Sequence, residues 1–206
     1  MKRVFPIYFL ILIIVFSLAG CSTQEKSKTE ETEAPKFDYL ALDVYEYDYP
    51  QEFTIGDNLS QAIWLYAHNI KTGGTEPSVS MSAWSDDFML FYIGNSDFNN
   101  DYLYAAKRKI NAKLSRAQVE YIQYSLTGKY ISFEKKLENG EYPLEKQEKI
   151  IRVGEIELLD VKEEGDIITV EVHIKTATGG FPATIKLQKD PYSCFDGYNI
   201  IGASVS

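Results

Sequence analysis

The sequence contains few of the residues that build catalytic and metal sites. Among 206 residues there are two histidines, His68 and His173, and two cysteines, Cys21 and Cys194. No cluster with metal-ligand spacing, glycine-rich nucleotide loop or serine-nucleophile elbow is present in the sequence. A nucleophilic cysteine would also need a nearby histidine as its base. The sequence therefore predicts no catalytic residue, no cofactor and no metal site.

Basic residues are in short supply as well. The chain has 21 lysines and arginines against 30 aspartates and glutamates, which gives a formal net charge of −9 at pH 7. An acidic chain without a basic patch is a poor binder of nucleic acid and is repelled by anionic lipid headgroups. The acidity favours solubility, and the alternative is attraction of cations or of a basic partner.

The N-terminal residues follow the layout of a secretory signal. Lys2 and Arg3 precede an uncharged run from Val4 to Gln24, whose apolar centre reads IYFLILIIVFSL. A positive start, an apolar centre and small residues are typical of a signal peptide. The same run could just cross a bilayer as an uncleaved anchor.

The residues LAGC (Leu18, Ala19, Gly20 and Cys21) resemble the lipobox of bacterial lipoproteins. In that family the cysteine thiol receives diacylglycerol and the chain is cleaved just before it. The resemblance implies that residues 1–20 are a lipoprotein signal peptide and that Cys21 is lipidated. Two or three acyl chains, such as palmitate, hold a protein stably on a membrane. The domain is then expected on the extracytoplasmic side of a bacterial cell envelope.

Two further expectations depend on this lipidation. Ser22 would follow the lipidated residue, and the absence of aspartate there resembles lipoproteins sorted to an outer membrane, although the sequence leaves the envelope type open. Cys194 would have no partner for an intrachain disulfide. Because it lies between aromatic residues in PYSCFDGYNII, we expect it to be a small buried hydrophobe.

Behind Cys21 the composition predicts a linker and then one domain. Residues 21–36 contain no aromatic residue and no aliphatic residue larger than Ala34, so they should form a disordered spacer. Residues 37–206 have the length of a single domain. Removal of residues 1–20 would take away two basic residues and no acid, which changes the net charge from −9 to −11.

The first half of the domain is predicted to be one strand followed by helices. Tyrosines and acids alternate from Tyr45 to Tyr49, which favours a strand with one wet face that ends at Pro50. The predicted helices cover about residues 59–71, 85–94, 98–111 and 115–128. Asp57 or Asn58 is expected to cap the first of them, whose apolar stripe contains Leu59, Ile63, Tyr66, Ala67 and Ile70. His68 falls off this stripe, so we expect it to be solvated.

The last helix and the second half of the domain carry clearer signals. Ser115 and Gln118 form a capping box, and Gly128 marks the helix end. Strand candidates follow at about residues 130–137, 151–162, 166–176, 181–189 and 195–205. KEEGD and ATGGFP provide turns between three of them.

The strand at 166–176 decides the predicted fold class. Ile168, Val170, Val172 and Ile174 alternate with polar residues, which indicates an antiparallel sheet with one buried face. Helices followed by such strands predict an α+β fold with helices on one face of the sheet. The element order is similar to the NTF2-like or cystatin-like superfold, in which a curved sheet wraps a helix and leaves a cone-shaped cavity.

The function predicted from these features is a lipid-anchored surface protein that binds an envelope protein or a small ligand. Its contact surface would be the acidic, tyrosine-rich exterior or a cavity under the sheet. The alternative is a small-molecule enzyme, since enzymes of the NTF2-like superfold often use a histidine or carboxylate in the cavity. His173 or Glu171 would then be the acid or base. A third possibility is a structural component of an envelope complex.

Overall fold

The computed structural model describes residues 37–74, 113–133, 141–143 and 154–206, together with Trp84, Phe88, Tyr92 and Ile93. All of these residues belong to one compact unit, Ala34–Ser206. The predictions for residues 1–36, which include the signal peptide, Cys21 and the linker, lie outside the described residues, and so does the predicted helix at 98–111. No helix within the described ranges is long and apolar enough to cross a membrane.

Helix α1 spans Asp57–Lys71 and begins two residues before the predicted start. Its buried face includes Leu59, Ile63 and Ala67, so the predicted apolar stripe is confirmed. The predicted cap is wrong, because the N-cap residue is Gly56 and no side chain of the helix's own start caps it.

Helix α2 spans Arg116–Thr127 and confirms the prediction at both ends. The Ser115 hydroxyl accepts a hydrogen bond from the backbone N–H of Gln118 at 3.3 Å, and the Gln118 side chain accepts one from the backbone N–H of Ser115 at 2.9 Å. Gly128 ends the helix with φ of +66°, a left-handed conformation that glycine adopts without a steric cost.

Four residues are described in the region of the helix predicted at 85–94. Trp84 and Phe88 are helical, so this helix begins earlier than predicted. Trp84, Phe88, Tyr92 and Ile93 are all fully buried. Their rings contact one another, with centroids 6.1 Å apart for Trp84 and Phe88 and 5.6 Å apart for Phe88 and Tyr92.

Four strands form an antiparallel sheet in which each strand pairs with the next along the chain. They are β3 (Ile156–Glu164), β4 (Ile167–Thr176), β5 (Gly179–Lys189) and β6 (Tyr198–Val205), and β1 and β2 belong to a second sheet described below. Two-residue turns join β3 to β4 and β4 to β5, as the glycine-containing segments predict. The alternation in β4 is confirmed, because Ile168, Val170, Val172 and Ile174 are fully buried.

A second, two-stranded sheet was not predicted. It pairs β1, Lys113–Ser115, with β2, Glu141–Pro143, in antiparallel register. Conversely, residues 130–133, the described part of the strand predicted at 130–137, form no strand.

The strand predicted up to Pro50 is also wrong, since residues 37–50 form a turn followed by an irregular segment. Tyr47 and Tyr49 are partly buried while Asp48 is exposed, but Tyr45 is exposed as well, so the predicted alternation is confirmed only from Tyr47 to Tyr49. The backbone N–H of Tyr47 donates to the carbonyl of Pro191 at 2.7 Å, so this part of the chain lies against a loop.

The helices and the sheet share one core. Both helices contact β6, and their buried side chains form a single hydrophobic cluster with those of β4, β5 and β6. The fold is therefore α+β with an antiparallel sheet, as predicted, and this sheet has four strands where the sequence suggests five.

Candidate functional site

A cleft of about 670 Å³ lies between the end of α1 and the β4–β5 turn. We call it the helix–hairpin cleft. It is lined by Trp64, His68, Lys71 and Thr72 from α1, by residues 176–182 of the hairpin, and by Ser206. Its volume falls in the range typical of small-molecule sites, about 300–1,000 Å³.

Trp64 and His68 form one wall of this cleft. They are four residues apart, and their rings stack with centroids 4.8 Å apart and planes inclined by 12°. The Trp64 indole N–H donates to the carbonyl oxygen of Lys175 at 2.8 Å, which fixes the ring against the sheet. Gly154 also lies against this contact, where a Cβ atom would collide with the Lys175 carbonyl oxygen.

The His68 imidazole is neutral near pH 7, because burial lowers its pKa below the ordinary value of 6.5. It therefore presents one N–H donor and one nitrogen acceptor. Neither nitrogen forms a hydrogen bond to a residue within the described ranges. The sequence places His68 off the apolar stripe of α1 and predicts that it is solvated, whereas it is half-buried on Trp64. Trp64, His68 and Lys71 are four and three residues apart, and this spacing in the sequence could have predicted that they share one face of the helix.

Lys71 borders the cleft at the end of α1. Its ammonium donates to the Ser206 carbonyl oxygen at 2.8 Å and lies 5.6 Å from the centroid of the Phe181 ring. The Thr72 hydroxyl contacts the carbonyl oxygens of His68, at 2.9 Å, and Asn69, at 3.1 Å. A cation in the last turn also complements the negative end of the helix dipole.

The opposite side of the cleft is the β4–β5 turn. The Thr176 hydroxyl donates to the Gly179 carbonyl oxygen at 2.8 Å, and Gly179 has φ of +136°, where an L side chain would be strained. The turn that the sequence predicts at ATGGFP is confirmed.

A second cleft, of about 460 Å³, lies where α2 begins. Asp38 and Glu120 both line it. The Asp38 carboxylate accepts a hydrogen bond from the Ala41 backbone N–H at 3.0 Å, and Glu120 accepts hydrogen bonds from the Arg116 guanidinium at 2.7 Å, the Phe133 backbone N–H at 2.9 Å and the Tyr130 hydroxyl at 3.1 Å. Glu120 thereby holds residues 130–133 against α2, and its bonds are structural.

Several of the fifteen tyrosines pack beside this second cleft. Tyr39 and Tyr192 stack with ring centroids 4.3 Å apart, and Phe37 contacts Tyr39, Tyr121, Tyr124 and Tyr130. Burial raises the pKa values of Tyr39 and Tyr124, so both phenols are neutral. Because these rings pack against each other, their contacts stabilise the domain.

A third groove, of about 340 Å³, contains Asp196 and Cys194. The Asp196 carboxylate accepts hydrogen bonds from the Leu59 backbone N–H at 2.8 Å and from the Asn58 side chain at 3.2 Å. Asp196 therefore caps α1 from another part of the chain. Burial raises the pKa of the Cys194 thiol to about 12, which makes it a poor nucleophile. Cys194 packs against the core but is only partly buried, so the prediction of a small buried hydrophobe is confirmed in part.

The residues of the predicted enzymatic alternative lie elsewhere. Glu171 is exposed and His173 half-buried on the face of β4 opposite its buried face, and the His173 ring lies against Gly180 of β5. Neither lines the three clefts described above. Their role as acid or base stays a prediction. Within the part of the chain that the structure describes, no group of three His, Cys, Asp or Glu residues could hold a metal ion.

No protein-family model matches the chain, and neither a curated protein nor a solved structure matches it.

Proposed function

We propose that this chain is a lipid-anchored protein of the bacterial cell surface that binds a small ligand in the helix–hairpin cleft. The observation that carries the proposal is the composition of that cleft. It combines aromatic, hydroxyl and ammonium groups in a concave site. Neither nitrogen of the His68 imidazole forms a hydrogen bond to a residue that the structure describes, so both can bind a ligand. The polar groups described above for the other two clefts, Glu120 and Asp196, are used in structural hydrogen bonds.

The position of the cleft suits a tethered protein. The chain enters the described domain at Phe37, in the aromatic group that includes Tyr192. Tyr192 follows the end of β5, whereas the cleft lies at the start of β5. A strand of 11 residues separates the two ends by roughly 35 Å, at about 3.3 Å per residue. A tether of residues 21–36, lipidated at Cys21, would thus leave the cleft away from the point of attachment.

We infer in addition that the helices cover one face of a curved sheet, in the manner of NTF2-like or cystatin-like domains. The support is the single hydrophobic cluster that α1, α2 and the sheet share. The helix–hairpin cleft would then lie at one end of the layer between helix and sheet.

Anchoring is tested with the two cysteines of the chain. Cys21→Ala should leave the precursor unprocessed or release the protein from the lipid fraction, because the acyl acceptor is gone. Cys194→Ala is the matched control and should be processed and fractionate with membranes like the wild type. If the Cys21→Ala protein keeps both the mass and the membrane partitioning of the wild type, lipidation at Cys21 is ruled out.

Binding is tested with Trp64 as the reporter. The chain has two tryptophans, so Trp84→Phe leaves Trp64 as the only indole. A panel of neutral, cationic and anionic small molecules should contain compounds that change its emission saturably, and Lys71→Met should weaken the effect. A panel with no saturable response would refute the proposed ligand cleft. Cross-linking in native envelopes, followed by mass spectrometry, tests the alternative of an envelope-protein partner.

A further inference from the structure

We propose that the helix–hairpin cleft binds a neutral sugar ring. This inference rests on the binding function proposed above for the same cleft and adds the chemical class of the ligand. The charges, the hydrogen-bonding groups and the apolar surfaces of the lining residues support it.

The charges favour an uncharged ligand. Among the lining side chains that the structure describes there is one cation, Lys71, and no carboxylate, so an organic cation would find no side-chain counter-charge there. An anion would meet Lys71, whose ammonium already donates to the Ser206 carbonyl oxygen. The C-terminus of α1 also carries the negative end of the helix dipole, which disfavours an anion further.

The remaining hydrogen-bonding groups are a mixture of donors and acceptors. The neutral His68 ring provides one of each, and Lys71 retains N–H groups beyond the one that Ser206 uses. The hydroxyls of Thr72 and Thr176 donate to backbone carbonyls and keep their acceptor capacity, while the Thr178 hydroxyl can do both. Ligand hydroxyls, which donate and accept alike, match this mixture.

The apolar part of the cleft is formed by flat rings. The His68 ring is supported from behind by Trp64, and Phe181 and Pro182 complete the apolar lining. A pyranose has a face of C–H groups that packs on flat rings and a rim of hydroxyls directed at polar side chains. Aromatic residues that are apolar on one side and polar on the other suit such a ligand.

An extended peptide fits the cleft less well. Peptides that add to a sheet need free backbone N–H and C=O groups along an edge strand. At the cleft, β4 and β5 pair with each other through Lys175 and Gly180 and through Thr176 and Gly179. The backbone groups that point across the hairpin are therefore used, and the described pairing leaves a peptide only the short outer edge of residues 179–182.

The experiment uses the mature lipidated chain with Trp84→Phe, in a polyoxyethylene detergent that carries no sugar headgroup. Trp64 emission is followed during titration with glucose, galactose, N-acetylglucosamine and their disaccharides, and with sorbitol as an acyclic polyol control. At least one pyranose should give a saturable change, whereas sorbitol should not, because it lacks a rigid C–H face.

Variants then locate the response. His68→Ala and Lys71→Met should each raise the Kd about fivefold or more, as expected for the loss of one hydrogen-bonding group. Lys186→Met changes an exposed lysine on β5 that does not line the cleft, and it should bind like the wild type. Two variants are used so that misfolding of one does not decide the result.

The outcomes separate the two proposals. If no pyranose binds but another class of compound does, with loss of binding in Lys71→Met, the sugar assignment is wrong and the binding function stands. If no compound of any class binds, both are wrong. A sugar response that persists unchanged in both cleft variants would also overturn the assignment.

Discussion

Asp196 should make a measurable contribution to stability, because it caps a helix from 137 residues away in the chain. Its carboxylate accepts hydrogen bonds from the backbone N–H of Leu59 and the side chain of Asn58, at 2.8 and 3.2 Å. Gly56 permits this approach, since a Cβ atom there would collide with the carboxylate. Asp196→Gly removes these bonds and leaves the first turn of α1 uncapped.

The expected loss is about 1 kcal/mol of unfolding free energy. Removal of a side-chain cap costs about 0.5–2 kcal/mol, and the bond to an ionised acceptor favours the upper half of that range. Part of the loss is offset, because burial of Asp196 raises its pKa and so makes its charge costly. Asp196 has φ of +53°, a conformation that glycine adopts freely, so the substitution introduces no backbone strain.

Urea unfolding followed by tryptophan fluorescence measures this loss as a lower midpoint with an unchanged slope. Asp43→Gly is the matched control, because Asp43 also has a positive φ, of +61°, but is exposed. The control should change the unfolding free energy by less than about 0.5 kcal/mol. Equal midpoint shifts in the two variants, or wild-type stability of Asp196→Gly, would refute the cap.

Two further predictions concern titration. Burial raises the pKa of Asp196 above its ordinary value of 3.8, so between the unfolded and folded pKa values the native state binds more protons, and the contribution of Asp196 to stability falls as pH rises. The stability of the wild type relative to Asp196→Asn should accordingly decrease from acidic to neutral pH, and a pH-independent difference in urea midpoints would contradict the burial argument. Burial raises the pKa of Cys194 to about 12, so its thiolate fraction near neutral pH falls well below that of an ordinary cysteine. Iodoacetamide should therefore label the folded chain at least about tenfold more slowly than the same chain in urea, and equal rates would contradict the raised pKa.

The local signals in the sequence were sufficient for the elements that depend on neighbouring residues. The capping box of Ser115 and Gln118 acts over three residues, and the alternation of β4 follows from one buried face. Backbone geometry sets these patterns over a few neighbouring residues, so they can be predicted without knowledge of the distant contacts in the fold.

Contacts between distant parts of the chain could not be read in the same way. The cap on α1 comes from Asp196, although Asp57 and Asn58 are closer in sequence. Tyrosines and acids alternate in the sequence from Tyr45 to Tyr49, yet Tyr45 is exposed and Tyr47 bonds the loop at Pro191 and not a strand. The prediction that His68 is solvated is wrong, because helical periodicity describes one helix alone. The hairpin that encloses His68 is more than 100 residues away in the chain.

The two ends of β5 differ in whether their polar side chains already form hydrogen bonds within the protein. At the end of β5 the loop 190–197 is tied by Asp190, which accepts from Tyr192 and Asn199, and by Ser193, which bonds the carbonyl oxygens of Ser125 and Tyr198. A ligand that displaced these partners would loosen the loop. At the start of β5, His68 and Thr178 form no side-chain hydrogen bond to a residue that the structure describes. A ligand can engage them at no structural cost, which is why the proposed ligand site lies at that end.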